Sequence, residues 1–268
     1  MQNESCLYIC TCKTQVNLNN YIRDAMKTTG NTIFISGGSA GIGLAIAKKL
    51  SAAGNKVIIN GRSEERLQNA LKELDKTAVA IQGDLSISLE RIKIVEELRN
   101  NHPELNIIIN NAGAAFINDL SGQKNNAAEK AYQEINTNYI SVIDFTALIL
   151  PLLLQQTEAA IVNVSSIAVF RPNKYLPTYS ASKAALHSYT QGLRDTFSEN
   201  DRLNVFELYP PLVNTDFSAE IGGANGIPPS EVADELFTAL EKNQFEVPVG
   251  DSKKMHAFAN PIIEGGNH

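Results

Sequence analysis

A tyrosine and a lysine stand four residues apart in the segment Tyr179-Ser-Ala-Ser-Lys183. On a helix this spacing places both side chains on one face, where an ammonium group favours ionisation of the phenol. A phenol in such a pair can exchange a proton with a reacting group. Since the chain has 8 tyrosines, the pair taken alone is more simply interpreted as a surface pair.

Two further polar segments follow apolar runs that are typical of buried strands. Ser165 and Ser166 come directly after the run AIVNV, and Asn110-Asn111-Ala112-Gly113 comes directly after the run NIII. The carboxyl ends of parallel strands meet at one edge of a sheet, where ligands bind. We therefore expect both segments to lie beside the tyrosine and the lysine.

A glycine cluster stands at the first junction of a strand and a helix. Its spacing is Gly37-x-x-x-Gly41-x-Gly43, directly after the β-rich run TIFIS. Such a turn lets a pyrophosphate approach the backbone at a helix N-terminus, where free N–H groups and the helix dipole favour an anion. A glycine cluster alone is equally consistent with a tight turn, so the context decides.

The elements that position these residues alternate between short apolar runs and helix-length amphipathic segments. We count seven strand candidates, and they are apolar on both faces, which is typical of βαβ units and a parallel sheet covered on both sides. The predicted fold class is α/β, a Rossmann-like doubly wound parallel sheet of about seven strands with helices on both faces. Residues 26–268 form one predicted domain.

Residues 1–25 are predicted to be an extension outside the fold. All 3 cysteines, Cys6, Cys10 and Cys12, fall in it. A secreted disulfide framework would spread its cysteines through the fold, and a metal site would need a fourth ligand that is not nearby. We expect no metal site.

Composition narrows the function classes. The 268 residues are 43% hydrophobic and 19% charged, with a formal net charge of −6, so a globular protein is expected and nucleic-acid binding is not. The longest apolar run, residues 147–154, contains Pro151 and is far shorter than the roughly 18 residues of a membrane span. We expect no membrane partner and a cytoplasmic location.

Taken together, these motifs resemble the short-chain dehydrogenase/reductase family, in its short single-domain branch. The resemblance runs from about Thr32 to Gly250. The sequence around Glu134 and Leu150-Pro151 also resembles that of the subgroup named for lipoteichoic-acid D-alanylation operons. The matching residues are Ser36-Gly37-Gly38-Ser39-Ala40-Gly41-Ile42-Gly43, Asp84, Asn110-Asn111-Ala112-Gly113, Asn138, Ser166, Tyr179, Lys183, Pro210 and Thr215.

The resemblance implies a catalytic set of four residues. Tyr179 would be the general acid/base and Ser166 would bind the substrate oxygen. Lys183 would bind the nicotinamide ribose and lower the pKa of the tyrosine, and Asn138 would hold a water in a proton relay. The implied cofactor-binding residues are Gly37, Ser39, Gly41, Ile42, Gly43, Arg62, Asp84, Leu85, Asn111, Ala112, Gly113, Tyr179, Lys183, Pro210, Val213 and Thr215.

The choice of cofactor depends on the end of the second strand. Where a cofactor without a 2′-phosphate is usually held by an acid, this chain has Asn60-Gly61-Arg62. Arg62 can pair with a 2′-phosphate, so NADP(H) is predicted over NAD(H); the alternative is a solvated surface arginine. Asp84 either bonds the adenine or caps the next helix.

The chain departs from the family pattern at two places. Ser36 stands where a threonine is usual, which keeps the hydroxyl. Pro210-Pro211 replaces the usual Pro-Gly after the sixth strand and would stiffen the backbone at the nicotinamide pocket that the resemblance implies. The following segment, residues 216–229, is expected to cover the substrate.

The sequence predicts an NADP(H)-dependent oxidoreductase that acts on a small carbonyl or alcohol substrate. One alternative is a catalytically idle NADP(H)-binding sensor or scaffold, against which the complete set of four residues argues. A second is a nucleotide-sugar epimerase or dehydratase, for which the chain lacks room for a larger C-terminal domain. The predicted assembly is a homodimer or homotetramer, built on the long helices at residues 127–155 and 179–198.

Overall fold

The computed structural model describes residues 25–121 and 126–260. Its centre is a seven-stranded sheet in the order β3-β2-β1-β4-β5-β6-β7, in which every pair of neighbours is parallel. The seven predicted strands are confirmed. The strands are β1 (Thr32–Ser36), β2 (Lys56–Gly61), β3 (Val79–Gln82), β4 (Leu105–Asn110), β5 (Ala159–Val164), β6 (Leu203–Tyr209) and β7 (Glu246–Pro248).

Helices connect the strands and cover both faces of the sheet, as the doubly wound prediction requires. The α-helices are α1 (Gly41–Ala52), α2 (Glu64–Leu71), α3 (Ser88–Asn101), α4 (Ala127–Ile135), α5 (Ser141–Leu153), α6 (Pro177–Thr196), α7 (Pro229–Lys242) and α8 (Ser252–Ala259).

Alternation along β1 divides the core into two layers. Ile33 and Ile35 face α1 and α7, whereas Phe34 points to the opposite face and stacks on Phe145 of α5 with ring centroids 5.0 Å apart. All three β1 side chains are fully buried. Because successive strand residues point to opposite faces, a strand covered on both faces must be apolar at every position.

The central strands define where a ligand can bind. β1 pairs with β2 on one side and with β4 on the other, so the chain reverses its direction of strand addition at the β1–β4 junction. In open parallel sheets the crevice beyond the carboxyl ends of the strands at such a switch point is the ligand site. The glycine turn after β1 lies at this junction.

Residues 127–153 form one continuous helical stretch with a widened segment inside it. The π-helix Asn136–Ile140 joins α4 to α5. By length and apolar composition this stretch could cross a membrane. Core helices pass the same test, and here α4 packs on α6 while α5 packs on α3 and β4.

Residues 1–24, with the three cysteines, lie outside the described residues, so the extension stays a prediction. Met26, just after them, is 3% exposed and packs in the core layer beside α1 and α7.

A variant that starts at Met26 is therefore expected to keep the wild-type melting temperature and cofactor affinity. A second variant that starts at Thr28 also loses the buried Met26 side chain, whose burial stabilises the fold by about 1.5–3 kcal/mol. Thermal unfolding and NADP⁺ binding of both variants measure the difference. A large loss of stability in the first variant would show that residues 1–25 pack on the domain.

Candidate active site

The glycine turn after β1 is tight, because neighbouring backbone and side-chain atoms leave no room for a Cβ on some of its glycines. Gly37 has φ +64°, and a Cβ there would lie 3.1 Å from Cα of Ala112. A Cβ on Gly43 would lie 2.3 Å from the carbonyl oxygen of Gly37. The turn therefore holds its shape only with glycine at these positions.

Ser36 ties this turn to the segment after β4. Its hydroxyl accepts the N–H groups of Asn111 and Ala112, both at 2.9 Å, and Asn111 Nδ2 donates to the Ser36 carbonyl at 2.9 Å. Ser36 thus provides the hydroxyl group that a threonine usually provides at this position in the family.

Helix α1 begins directly behind the glycines. Its N-cap residue, Ala40, supplies no side-chain acceptor, and its first turn carries no acid. The N–H groups at such a helix start attract an anion. A pyrophosphate fits this turn, because no Cβ of Gly37 or Gly41 occupies the approach to the backbone.

The end of β5 places the two serines and anchors α6. Ser166 is 8% exposed and caps a short 3₁₀ helix, Ile167–Val169, by accepting the Ala168 N–H at 3.1 Å. Lys183 donates from Nζ to the Val164 carbonyl at 2.7 Å. Each contact holds one of the predicted catalytic side chains against the edge of the sheet.

Tyr179 and Lys183 share one face of α6, as their spacing predicts. Both are buried, and Lys183 Nζ lies 5.8 Å from the centroid of the Tyr179 ring. Burial lowers the pKa of Lys183 to about 8, with Glu207 opposing it.

Burial has the largest influence on the ionisation of Tyr179. Burial raises the pKa of Tyr179 to about 12, Glu134 adds to the rise, and only a hydrogen bond with Ser166 lowers it. Desolvation of the phenolate therefore sets the direction of this pKa shift. The lowering of the Tyr179 pKa by Lys183 stays a prediction.

Asn138 lies in the π-helix and is fully buried. Its side chain accepts the Ala114 N–H at 2.7 Å and donates at 2.8 Å both to the Ala114 carbonyl and to Ser182 of α6. A Cβ on Gly113 would lie 3.2 Å from Asn138 Oδ1 and 3.8 Å from Lys183 Nζ. Glycine at 113 thus leaves open the space between the asparagine and the lysine.

A single cavity of about 590 Å³ runs over these groups. It joins the glycine turn at one end to the Ser166–Tyr179 region at the other. The predicted site residues that line it are Gly37, Gly41, Ile42, Asn111, Ala112, Gly113, Ser166, Tyr179, Lys183, Pro210, Val213 and Thr215.

The other predicted residues do not line the cavity, namely Ser39, Gly43, Leu85, Asn138, Arg62 and Asp84. The Arg62 side chain is 81% exposed and lies 3.8 Å from a carboxylate oxygen of Asp84. Asp84 accepts the Ser86 N–H at 2.8 Å, so it closes a turn ahead of α3, whose N-cap is Ile87.

Arg66 on α2 lines the glycine end of the cavity, although the sequence analysis did not single it out. It follows Ser63, whose hydroxyl accepts the Arg66 N–H and caps α2. Its position could have indicated this role, because Arg66 lies in the first turn of the helix after β2. In this fold an arginine near that place can bind the 2′-phosphate of the adenosine.

The sequence analysis also missed part of the opposite wall. It comes from the segment between Ser166 and Tyr179, which crosses the carboxyl edge of the sheet, and its lining residues there are Ile167, Ala168, Arg171, Asn173 and Leu176. Beyond β6 the wall continues through Pro211 and Leu212 to the 3₁₀ helix Asp216–Ile221. This helix belongs to residues 216–229, the segment that the sequence analysis expected at the substrate. Phe217 from this helix lies over Tyr179, with ring centroids 6.3 Å apart.

The short chain dehydrogenase family model matches residues 31–225. Oxidoreductase DltE of Bacillus subtilis, itself described as uncharacterized, is 38% identical over 205 residues, which are 75% of this chain and 79% of that protein. An uncharacterized oxidoreductase of Staphylococcus epidermidis is 27% identical over 208 residues, 77% of this chain and 89% of its own.

Solved structures show the same fold. A short chain dehydrogenase from Burkholderia cenocepacia in complex with NADP has a TM-score of 0.77 at 23% identity, covering 88% of this chain and 95% of its own. One from Burkholderia phymatum in complex with NAD has a TM-score of 0.76 at 20% identity, covering 82% and 89%. Since the family model spans the glycine turn, the serine pair and the Tyr179–Lys183 helix, this chain belongs to the short-chain dehydrogenase/reductase family of oxidoreductases.

Proposed function

We propose that this protein is an NADP(H)-dependent carbonyl reductase or alcohol dehydrogenase. The observation that carries the proposal is the single cavity that joins the glycine turn to Ser166, Tyr179 and Lys183. A protein that only bound the cofactor would not need a buried phenol, hydroxyl and ammonium group beside its nicotinamide end.

The glycine turn and the start of α1 would hold the pyrophosphate, and Lys183 with Thr215 would hold the nicotinamide end. Bound nicotinamide would supply or accept the hydride. Ser166 orients the substrate oxygen, and Tyr179 exchanges a proton with it. With a pKa of about 12, Tyr179 holds its proton at neutral pH, which is the form that carbonyl reduction needs.

Absorbance assays with NADPH and a panel of carbonyl compounds, and with NADP⁺ and alcohols, test this activity directly. Oxidation or reduction of the nicotinamide that depends on the added compound supports the proposal. Tight cofactor binding without turnover of any compound would favour the idle sensor instead.

Cofactor choice follows from two arginines. Arg66 lines the cavity, while Arg62 is exposed beside Asp84, and β2 ends without an acid. We expect NADP(H) to be preferred, and we expect Arg66→Ala and Arg62→Ala each to reduce that preference at least about tenfold, since a charged hydrogen bond contributes about 1.5–3 kcal/mol.

The measurement is kcat/KM for both cofactors. Arg171→Ala is the matched control, because Arg171 lines the substrate side of the same cavity and should leave the preference unchanged. Comparable wild-type kcat/KM for NAD(H) and NADP(H), or an unchanged preference in both arginine variants, would contradict the assignment.

The outer surface of residues 127–154 supports the proposed homodimer or homotetramer. Tyr132 is 78% exposed, Ile140 45% and Leu154 37%, and a second copy packed on these helices would remove this apolar surface from water. We expect light scattering at micromolar concentration to give the mass of two or four chains. A monomer at that concentration would contradict the assembly.

We also propose a cytoplasmic location.

A further inference from the structure

One arginine in the cavity wall has no partner within the described protein. Arg171 lines the cavity together with Ser166 and Tyr179. Its side chain is exposed and forms no ion pair or hydrogen bond with residues 25–121 and 126–260. A guanidinium group carries five N–H donors and a fixed positive charge. In a concave wall these donors are open to a ligand that enters the cavity.

The backbone around Arg171 is held in place. Its N–H donates to the Ile167 carbonyl at 3.2 Å, and the N–H of Asn173 donates to the Ser180 hydroxyl of α6 at 3.1 Å. The side-chain oxygen of Asn173 accepts the Tyr175 N–H at 2.8 Å. These bonds fix the wall segment against the start of α6, so the arginine has a defined position in the wall.

The cavity wall beside Arg171 is apolar. Ala168, Leu176 and the Tyr179 ring form one buried cluster, and Ile221 from the 3₁₀ helix after β6 packs against it. All four side chains line the cavity. Such a surface binds a hydrocarbon chain by removing it from water. A ligand that extends from Tyr179 to Arg171 is therefore best matched by an apolar chain with an anionic end.

The anionic groups of a dinucleotide belong to the other end of the cavity. The glycine turn would hold the pyrophosphate, and Arg66 lines the cavity at that end. Among the lining residues that the structure describes, the one acid is Asp216. It also lines a neighbouring hollow with Gly41 and Thr215, which places it next to the glycine turn. Arg171 thus remains available for the substrate.

We propose that Arg171 binds an anionic group of the substrate, a carboxylate or a phosphate, which an apolar chain separates from the reacting carbonyl or alcohol. The proposal rests on the assignment of Ser166 and Tyr179 under the proposed function. A planar guanidinium group binds such anions through two parallel N–H···O bonds. The five residue steps from Ser166 to Arg171 span on the order of 10 Å at the rise of a 3₁₀ helix, so several carbon atoms separate the two groups of the substrate.

A turnover test compares 5-oxohexanoate with its uncharged methyl ester, each with NADPH. The ketone accepts a hydride at its carbon and a proton at its oxygen, which gives the 5-hydroxy compound and NADP⁺. We expect kcat/KM for the acid to exceed that for the ester about tenfold, between the contributions of an exposed ion pair and of a charged hydrogen bond. Arg171→Met should bring this ratio to about one, and Arg171→Lys, which keeps only the charge, should give an intermediate ratio.

Lys174→Met is the matched control for Arg171→Met. Lys174 is an exposed basic residue of the same segment, its ammonium group lies over the Tyr175 ring, and it does not line the cavity. The acid-to-ester ratio of this variant should equal that of the wild type. An equal loss in both variants would overturn the proposal, because it would show that general surface charge attracts the acid. A wild-type ratio of about one would overturn it as well, since an anion held by a cation must show a preference.

A binding measurement needs no turnover. Ligand-observed NMR titrations with hexanoate, hexyl phosphate and hexanamide compare a carboxylate, a phosphate and a neutral amide on similar chains. At least one anion should bind the wild type about tenfold more tightly than the amide, and the tighter anion identifies the group. Arg171→Met should remove the difference and Lys174→Met should keep it. Equal affinities of all three probes for the wild type would overturn the proposal.

The two measurements separate this proposal from the proposed function. Binding of an anionic probe that depends on Arg171, without reduction of any ketone, would remove the proposed function and leave the anion site. Reduction of ketones without any preference for the acid would leave the function and remove the anion site. If neither 5-oxohexanoate nor its ester is reduced, the binding measurement alone decides.

Discussion

Replacing Tyr179 with phenylalanine is expected to lower kcat by about 10²–10⁴-fold, the usual contribution of a positioned general acid. The substitution removes the hydroxyl that would give its proton to the substrate oxygen. The ring keeps its packing against Phe217, so NADP(H) affinity and stability should barely change. Turnover and the cofactor dissociation constant, measured on the same preparation, separate the two effects.

Two further variants serve as comparisons. Tyr175→Phe removes a hydroxyl from an exposed ring in the turn that precedes α6 and should leave kcat unchanged. Lys183→Ala removes both the ammonium group and the predicted ribose contact, so kcat and cofactor affinity should both fall. Near-normal turnover of Tyr179→Phe would show that another group moves the proton, even though the family assignment stands.

Gly43→Ala is expected to cause the largest loss of cofactor binding. Its new Cβ would lie 2.3 Å from the Gly37 carbonyl oxygen and 2.5 Å from Nδ2 of Asn111, so the turn has to move. Overpacking of this kind costs about 1–3 kcal/mol. We expect a lower melting temperature and at least about a tenfold weaker NADP⁺ affinity, because the same turn would hold the pyrophosphate.

Gly192→Ala is the matched control for this substitution. Gly192 also lies inside a helix, but nothing stands within 4 Å of a Cβ built there. Alanine at that position should stabilise the protein by up to about 1 kcal/mol and leave cofactor affinity unchanged. Wild-type stability and affinity in Gly43→Ala would show that the turn tolerates a side chain.

The sequence predicts the sheet well because its strands are covered on both faces. Runs such as TIFIS and NIIIN have no polar alternation that would suggest another arrangement, and β1 and β4 fall where predicted. Element ends are less predictable. Helix α3 begins at Ser88, because Asp84 accepts the Ser86 N–H in the turn that precedes it. The π-helix around Asn138 leaves no distinct signal in the hydrophobic period.

Site residues can be predicted from sequence where a motif fixes their spacing. They cannot be predicted where only the tertiary fold directs their side chains toward the cavity. Tyr179, Lys183 and the glycines belong to the first kind. Arg66 and Arg171 belong to the second, because nothing in their local sequence shows which way they face. The raised pKa of Tyr179 depends on burial by residues distant in the chain, so no local pattern indicates it.

Strand β1 is synthesised before the other six strands of the sheet, yet it lies in the interior of the sheet. While the chain is being synthesised, β1 can pair with β2 at once, but its other edge stays open until β4 leaves the ribosome. An open apolar edge is a site of aggregation, so a nascent chain stalled before β4 should be a substrate for chaperones. The Gly37 turn is completed only when Asn111 bonds Ser36, and a nicotinamide cofactor that binds this turn therefore cannot assist this early stage of folding.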